Sequence, residues 1–303
     1  MTAAAEELQH IEALRERLQE DSASVMIFLG AGLSYGVGRD LGRAGIEALP
    51  PIADDKRFPT WPLLIDRMVP ELLALAADDR ERHAYQRFVE RNDPLDVAQL
   101  YRLTVGDERY FEFLDSQFET RPEDGDFLTP SHRALVDLPI PEIFTTNYDG
   151  LIELAFDRFE RELVVSPDPA SFVANKVLNP DHHLVKLHGT WDDPPSIVLT
   201  RDDYARSRMA RAEMFASFAQ EARFTTFLFI GFSLSDPNFN LIRDEARAVM
   251  GEAMPTSYLV QERTDPVTRR YLRSLAVEVI NLFSWNALPG FLEAINHRSG
   301  QSG

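Results

Sequence analysis

From residue 142 onward the chain repeats one pattern: a short apolar run, a polar turn, then a stretch with helical spacing. "EIFTTN" leads into "DGLIELAFDRF" and "TTFLFIGFS" into "DPNFNLIRDEARAVM". "TSYLVQ" leads into "DPVTRRYLRSL" and "VEVINLF" into "NALPGFLEAINH". Apolar runs this short read as strands buried on both faces. Helices returning between such strands make them parallel and cover both sides of the sheet. The pattern predicts an α/β fold on a doubly wound parallel sheet. "VMIFLG" at 25–30 adds an earlier strand, and "HHLVKLHG" and "SIVLT" read as two more, with a helix over 202–222.

The rest of the chain is organised differently. Leu8, Ile11, Leu14 and Leu18 recur at helical spacing, so the first twenty residues predict an amphipathic helix. From Tyr35 to Pro59 glycine, proline and charge dominate, which predicts a long irregular segment. From Trp61 to about Phe118 the spacing is helical throughout, and Pro70 is expected to kink or start a helix. The expected organisation is a single unit: about 20–35 and 125–300 form the sheet part, and about 36–120 form an inserted smaller helical module with an insertion loop.

Composition removes several function classes. With 303 residues and 44% hydrophobic content, the chain can bury a large core. It has no cysteine, which excludes disulfides, a cysteine nucleophile and cysteine-ligated zinc. No His–carboxylate spacing resembles a known zinc pattern, so no metal is expected. The formal net charge of −18 repels duplex DNA and anionic membranes, so no direct nucleic-acid binding by this chain alone is expected. No apolar run approaches the ~20 residues of a membrane span. The acidic, helical N-terminus does not read as a signal peptide, and a cytoplasmic location is expected.

Four polar, glycine-bearing stretches each follow a predicted strand: "GAGLSYGVG" (30–38), "TTNYDG" (145–150), "KLHGTWDD" (186–193) and "GFSLSDPN" (231–238). In open α/β sheets ligands bind beyond the carboxyl ends of strands, so the four can converge on one crevice. Gly30 and Gly32 either let the backbone approach a phosphate or make a tight strand-to-helix turn. The spacing is neither the dinucleotide fingerprint, since Tyr35 holds its sixth position, nor a Walker loop, since no lysine follows. Ser34 offers a hydroxyl. Asn147 supplies a donor and an acceptor without titrating, which suits orienting a ribose hydroxyl or a water. Asp149 precedes a helix and reads first as its cap. His188 can exchange protons near neutrality, or be a histidine bonded to backbone. Asp236 before Pro237 reads as a cap, which leaves Ser233 as the better ligand candidate in its stretch.

Together, in this order, "GAGLS", "TTNYD", "KLHG" and "GFSLSDPN" resemble the NAD-binding signatures of the SIR2 (sirtuin) family, and most closely its bacterial anti-phage defence branch. The resemblance covers roughly 25–285. It implies a Rossmann-like NAD-binding part with a smaller helical module over the site. Gly30, Ala31, Gly32 and Ser34 would line the dinucleotide phosphates, and Asn147 and Asp149 the nicotinamide ribose. His188 would be the catalytic histidine, and Gly231 and Ser233 would lie by the adenosine. Two departures speak against lysine deacylation. The four-cysteine zinc module is missing, and "TWDDPPSIVLTRDDYARS" shows no peptide-pairing strand. A third is an insertion of about twenty residues before Pro59–Trp61, over 36–58, which detaches Arg39 and Asp40 from any family role.

The resemblance implies an NAD+ hydrolase that releases nicotinamide, acting as the effector of a defence system. NAD is then substrate, and no zinc is involved. An NADase must be held off at rest, which implies a homo-oligomer and a separate sensor or activator, such as a HerA-like ATPase or an Argonaute-like protein. An NAD or ADP-ribose sensor without turnover is the competing class, with a deacylase or ADP-ribosyltransferase third.

Overall fold

A computed structural model describes residues 3–34, 58–178 and 180–297. The 36–58 insertion, with Arg39 and Asp40, falls almost wholly outside the described residues. The chain opens with α1 (Ala3–Glu20) and β1 (Val25–Leu29). Four helices follow: α2 (Trp61–Ala74), α3 (Asp79–Arg91), α4 (Pro94–Val105) and α5 (Asp107–Phe118). Next come α6 (Pro130–Val136), β2 (Glu142–Thr145), α7 (Leu151–Arg158), β3 (Val164–Ser166), α8 (Pro169–Leu178) and β4 (His183–Lys186). The last part holds α9 (Arg201–Ala210), α10 (Ala212–Phe224), β5 (Thr226–Ile230), α11 (Pro237–Met250), β6 (Ser257–Glu262), α12 (Pro266–Ser274), β7 (Val277–Leu282) and α13 (Leu288–Asn296).

The seven strands form one parallel sheet in the order β3-β4-β2-β1-β5-β6-β7. Strand order reverses at β1, which lies between β2 and β5. Crevices at such switch points are where ligands sit in doubly wound folds. Alternate residues of each strand face opposite sides, and here the sides differ in chemistry. Ile27, Leu29, Ile143, Leu228, Ile230 and Ile280 pack with α1, α6 and α13 in an aliphatic layer. On the other face Phe28, Phe144, Phe227 and Phe229 meet Phe218 of α10 and Phe239 of α11.

The helices between β1 and β2 have their own core. Leu64, Ile65, Met68 and Leu72 form one face of α2 and pack on Val97, Ala98 and Tyr101 of α4 and on Leu114 and Phe118 of α5. Tyr148, Ile197 and Leu199 join this core from the sheet part. Pro70 lies inside α2 and does not start a helix.

Two expectations are corrected. "SIVLT" is not a strand: the Val198 N–H donates to the His188 carbonyl, and those of Leu199 and Thr200 to the Asp203 carboxylate, so no ladder forms. The helix over 202–222 breaks at Arg211, whose guanidinium donates to the carbonyls of Pro167 and Ser196. The edge strand β3 and helix α8, over 164–178, were not anticipated.

Candidate active site

The four motif stretches meet in a cavity of about 660 Å³ at the carboxyl ends of β1, β2 and β5. Ala31, Gly32, Asn147, Asp149, His188, Gly231 and Ser233 all line it. Trp61, Leu64, Leu95 and Phe118 of the helical part form the facing wall. Most of the wall is apolar, so the few polar atoms that reach it act with little competition from water.

The β1 and β5 turns are built against each other. Gly30 N–H donates to the Ile230 carbonyl at 3.0 Å, and Gly32 N–H to the Gly231 carbonyl at 2.8 Å. A Cβ on Gly30 would lie 2.5 Å from the Gly231 oxygen, and one on Gly32 would lie 2.7 Å from the Gly231 Cα. Both glycines are therefore required by the approach of two backbones, whatever binds above them. Gly30 sits behind the wall and does not line it.

Ser34 is also behind the wall, and its hydroxyl accepts from Asn147 Nδ2 at 3.0 Å. The same hydroxyl is bonded to the Asp149 carboxylate. Asn147 is 4% exposed, and its backbone N–H donates to Thr145 Oγ1. With Nδ2 committed, Asn147 Oδ1 is buried and has no hydrogen-bond partner among the described residues. An unbonded buried acceptor costs on the order of 1–3 kcal/mol, a cost that an incoming donor removes.

Asp149 combines both readings of its sequence position. Its Oδ1 accepts the Leu151 N–H at 3.1 Å at the start of α7, and the residue lines the cavity. Burial pushes its carboxyl up, opposed by Lys186, the Ser34 hydroxyl and the Leu151 N–H. Lys186, only 1% exposed, donates to the carbonyls of Tyr148 and Asp149 at 3.2 and 2.7 Å and to Glu153 at 2.7 Å. It locks the turn that carries Asn147. The "KLHG" stretch thus supplies a structural lysine as well as His188.

His188 is 2% exposed, with its ring edge-on to Tyr204 at a 5.2 Å centroid distance. Burial holds its imidazole below the ordinary value; Asp236 opposes this and Arg211 reinforces it. Nε2 lies 3.5 Å from Asp236 Oδ2, beyond hydrogen-bond reach, and has no partner among the described residues. Gly189 (φ +84°) turns the chain directly after it, and a Cβ there would strike the Ser196 carbonyl oxygen at 2.3 Å. Ser233 is exposed at the rim, paired with Ser235. Sequence reading missed Tyr204, Lys186 and the second role of Asp236. For Asp236 the signal was present in "SLSDPN", but the cap explained it alone.

Residues 141–280 match the family model described as SIR2-like domain. The match takes in β2 through most of β7, with Asn147, Asp149, His188, Gly231 and Ser233. Curated relatives agree over more of the chain. The NAD(+) hydrolase ThsA of Enterococcus faecium is 29% identical over 259 residues, 84% of this chain and 46% of that protein. The NAD(+) hydrolase ThsA of Bacillus cereus is 28% identical over 236 residues, 77% of this chain and 41% of that protein. The chain therefore spans under half the length of the curated relatives it matches. Among the described residues no group of three or more His, Asp or Glu could hold a metal ion, and no helix is long and apolar enough to cross a membrane.

Proposed function

We propose that this SIR2-like domain hydrolyses NAD+ to nicotinamide and ADP-ribose. The observation that carries the reading is the Asn147 amide. Ser34 holds its Nδ2, which leaves an unbonded, buried Oδ1 on a residue that lines the cavity with His188. That acceptor suits a water or ribose hydroxyl held in one orientation. The glycosidic bond breaks with its electron pair on the nicotinamide nitrogen, which leaves neutral. Water bonds to the ribose carbon, and its proton passes to His188. Asp149 accepts a ribose hydroxyl, and the β1 and β5 turns, with Ala31, Gly32, Gly231 and Ser233, face the remainder of the dinucleotide. The similarity to proteins named NAD(+) hydrolase supports the choice of substrate.

The reading extends to a cytoplasmic anti-phage effector. A permanently active NADase would empty its own cell of NAD+, so a homo-oligomer and a separate sensor or activator, HerA-like or Argonaute-like, hold it off. Purified protein is assayed for nicotinamide release from NAD+. Asn147→Ala and His188→Ala, checked for folding by circular dichroism, are expected to lose about 100-fold or more in rate. Variants as fast as the parent sink the assignment, and tight NAD+ binding without nicotinamide release replaces it with a sensor.

A further inference from the structure

The Asp236 carboxylate is used three times. Oδ1 accepts the Phe239 N–H at 2.8 Å and caps α11. Oδ2 accepts the Tyr204 hydroxyl at 2.6 Å, and the same oxygen lies 3.5 Å from His188 Nε2. Capping needs one neutral or charged acceptor, and asparagine or serine caps as well as aspartate does. The cap therefore gives no reason for a second, charged oxygen whose side chain is only 8% exposed, next to a buried histidine. Burying that charge is costly unless it is paired. The Tyr204 bond meets part of the cost and aims Oδ2 at the imidazole.

We infer that Asp236 is the positioning residue of His188: it holds the Nε2–H tautomer, leaves Nδ1 as the basic nitrogen, and stabilises the imidazolium that forms when His188 takes a proton. The inference rests on His188 acting as base in the reaction proposed above. The 3.5 Å separation is within reach of a hydrogen bond in the complex with substrate, where catalytic hydrogen bonds tighten. Around the ring the titratable and charged groups are Asp236 on α11, Tyr204 on α9, Arg211 between α9 and α10, and Tyr148 after β2. Of the charged pair only Asp236 favours the protonated ring, and Arg211 opposes it.

Asp236→Asn tests this, because it keeps an Oδ1 acceptor for the cap while removing the charge and replacing the oxygen that faces Tyr204 and His188 with an Nδ2 donor. The expected result is a fall in kcat for nicotinamide release of at least about tenfold, with KM changed less than about threefold. The sign of the pH effect is fixed. Without the carboxylate the imidazolium is less stable, the His188 pKa falls, and the acid limb of the kcat/KM profile moves to lower pH by about one unit. A merely structural loss would lower the rate without moving the limb. Nitrogen-15 NMR of His188 gives a readout independent of turnover: an Nε2–H tautomer in the parent, and a lower pKa in Asp236→Asn. Tyr204→Phe, which frees Oδ2 but keeps the cap, is expected to show the same shift in smaller measure. An unmoved limb with parental kcat overturns the inference, as does an Nδ1–H tautomer in the parent. A parent that releases no nicotinamide defeats the proposed reaction, and the NMR result then still decides whether Asp236 and His188 are paired.

Discussion

At the scale of single residues, the site depends on one hydroxyl that never reaches the cavity wall. Ser34 takes the Asn147 Nδ2 hydrogen and is bonded to the Asp149 carboxylate. An asparagine amide is nearly symmetric in shape, so only its partners decide which end faces a ligand. Ser34→Ala removes that decision and leaves the amide free to rotate. It also removes a hydrogen bond that holds the Asp149 carboxyl down against burial. Asp149 is therefore protonated at higher pH in the variant, and the acid limb of nicotinamide release moves up, opposite to the shift expected for Asp236→Asn. The plateau rate is expected to fall about tenfold, and the melting temperature by at least about 2–4 °C, because a buried amide and a buried carboxylate lose their partner. A rate profile from pH 5 to 9, with thermal melts alongside, checks both; a limb that stays put shows that Ser34 does not hold the Asp149 carboxyl down. From sequence Ser34 is a hydroxyl that the family resemblance sets by the dinucleotide phosphates; a hydroxyl in a glycine loop gives no sign of which neighbour it meets.

The same limit applies to elements. Gly231 (φ +64°) approaches the β1 turn so closely that a Cβ would sit 2.5 Å from the Leu33 nitrogen. Neither backbone can move without breaking the β1–β5 register. Gly231→Ala is expected to cost at least about 2–3 kcal/mol beyond the cost of its positive φ. Gly106 (φ +82°, ψ 164°) is the control: a Cβ there meets nothing within 4 Å, so Gly106→Ala loses only the ~1–3 kcal/mol of a backbone region that favours glycine. Urea unfolding compares the two, and equal losses would show that the turns do not pack as described. The partner that demands Gly30 and Gly32 lies some 200 residues away in the chain, so a glycine motif read alone leaves phosphate and packing undecided. What reads well from sequence is what depends on local spacing. Apolar runs mark every strand but β3, which is three residues long at a sheet edge, too short for a pattern. Helix α8 was legible by a signal used elsewhere: Asp168–Pro169 starts it, just as Asp93–Pro94, Asp236–Pro237 and Asp265–Pro266 start α4, α11 and α12. The site stretches were visible because each ends a strand. Asp236 beside His188 was not, because tertiary contact between α11 and the turn after β4 has no sequence period.

At the scale of the molecule, the cavity is closed by two bodies of structure whose contact is partly oily and partly charged. Trp61, Leu95, Val198 and Tyr204 form the apolar part. Beside them α4 meets α9 along a polar seam. Arg201 bonds Asp93 and reaches Asp96 at 2.8 and 2.9 Å, Gln99 and Asp202 bond each other twice, and Arg102 lies 3.2 Å from Asp203. Arg201 and Asp93 also line the cavity, so the seam is at once a joint and part of the wall. Exposed pairs of this kind are worth under about 1 kcal/mol each and weaken with salt. Arg201→Ala is therefore expected to change global stability little while leaving Asp93, the N-cap of α4, and Asp96, in its first turn, without their charged partner on α9. Hydrogen exchange of α4 should quicken in the variant and, in the parent, on going from about 50 to 500 mM salt, where the Debye length falls several-fold. Amides of β1 and β5 should stay protected in both, since their bonds lie in the buried sheet. If α4 exchanges at the parental rate in Arg201→Ala at low salt, the apolar contact alone holds the two parts together, and the charged seam does not govern access to the cavity.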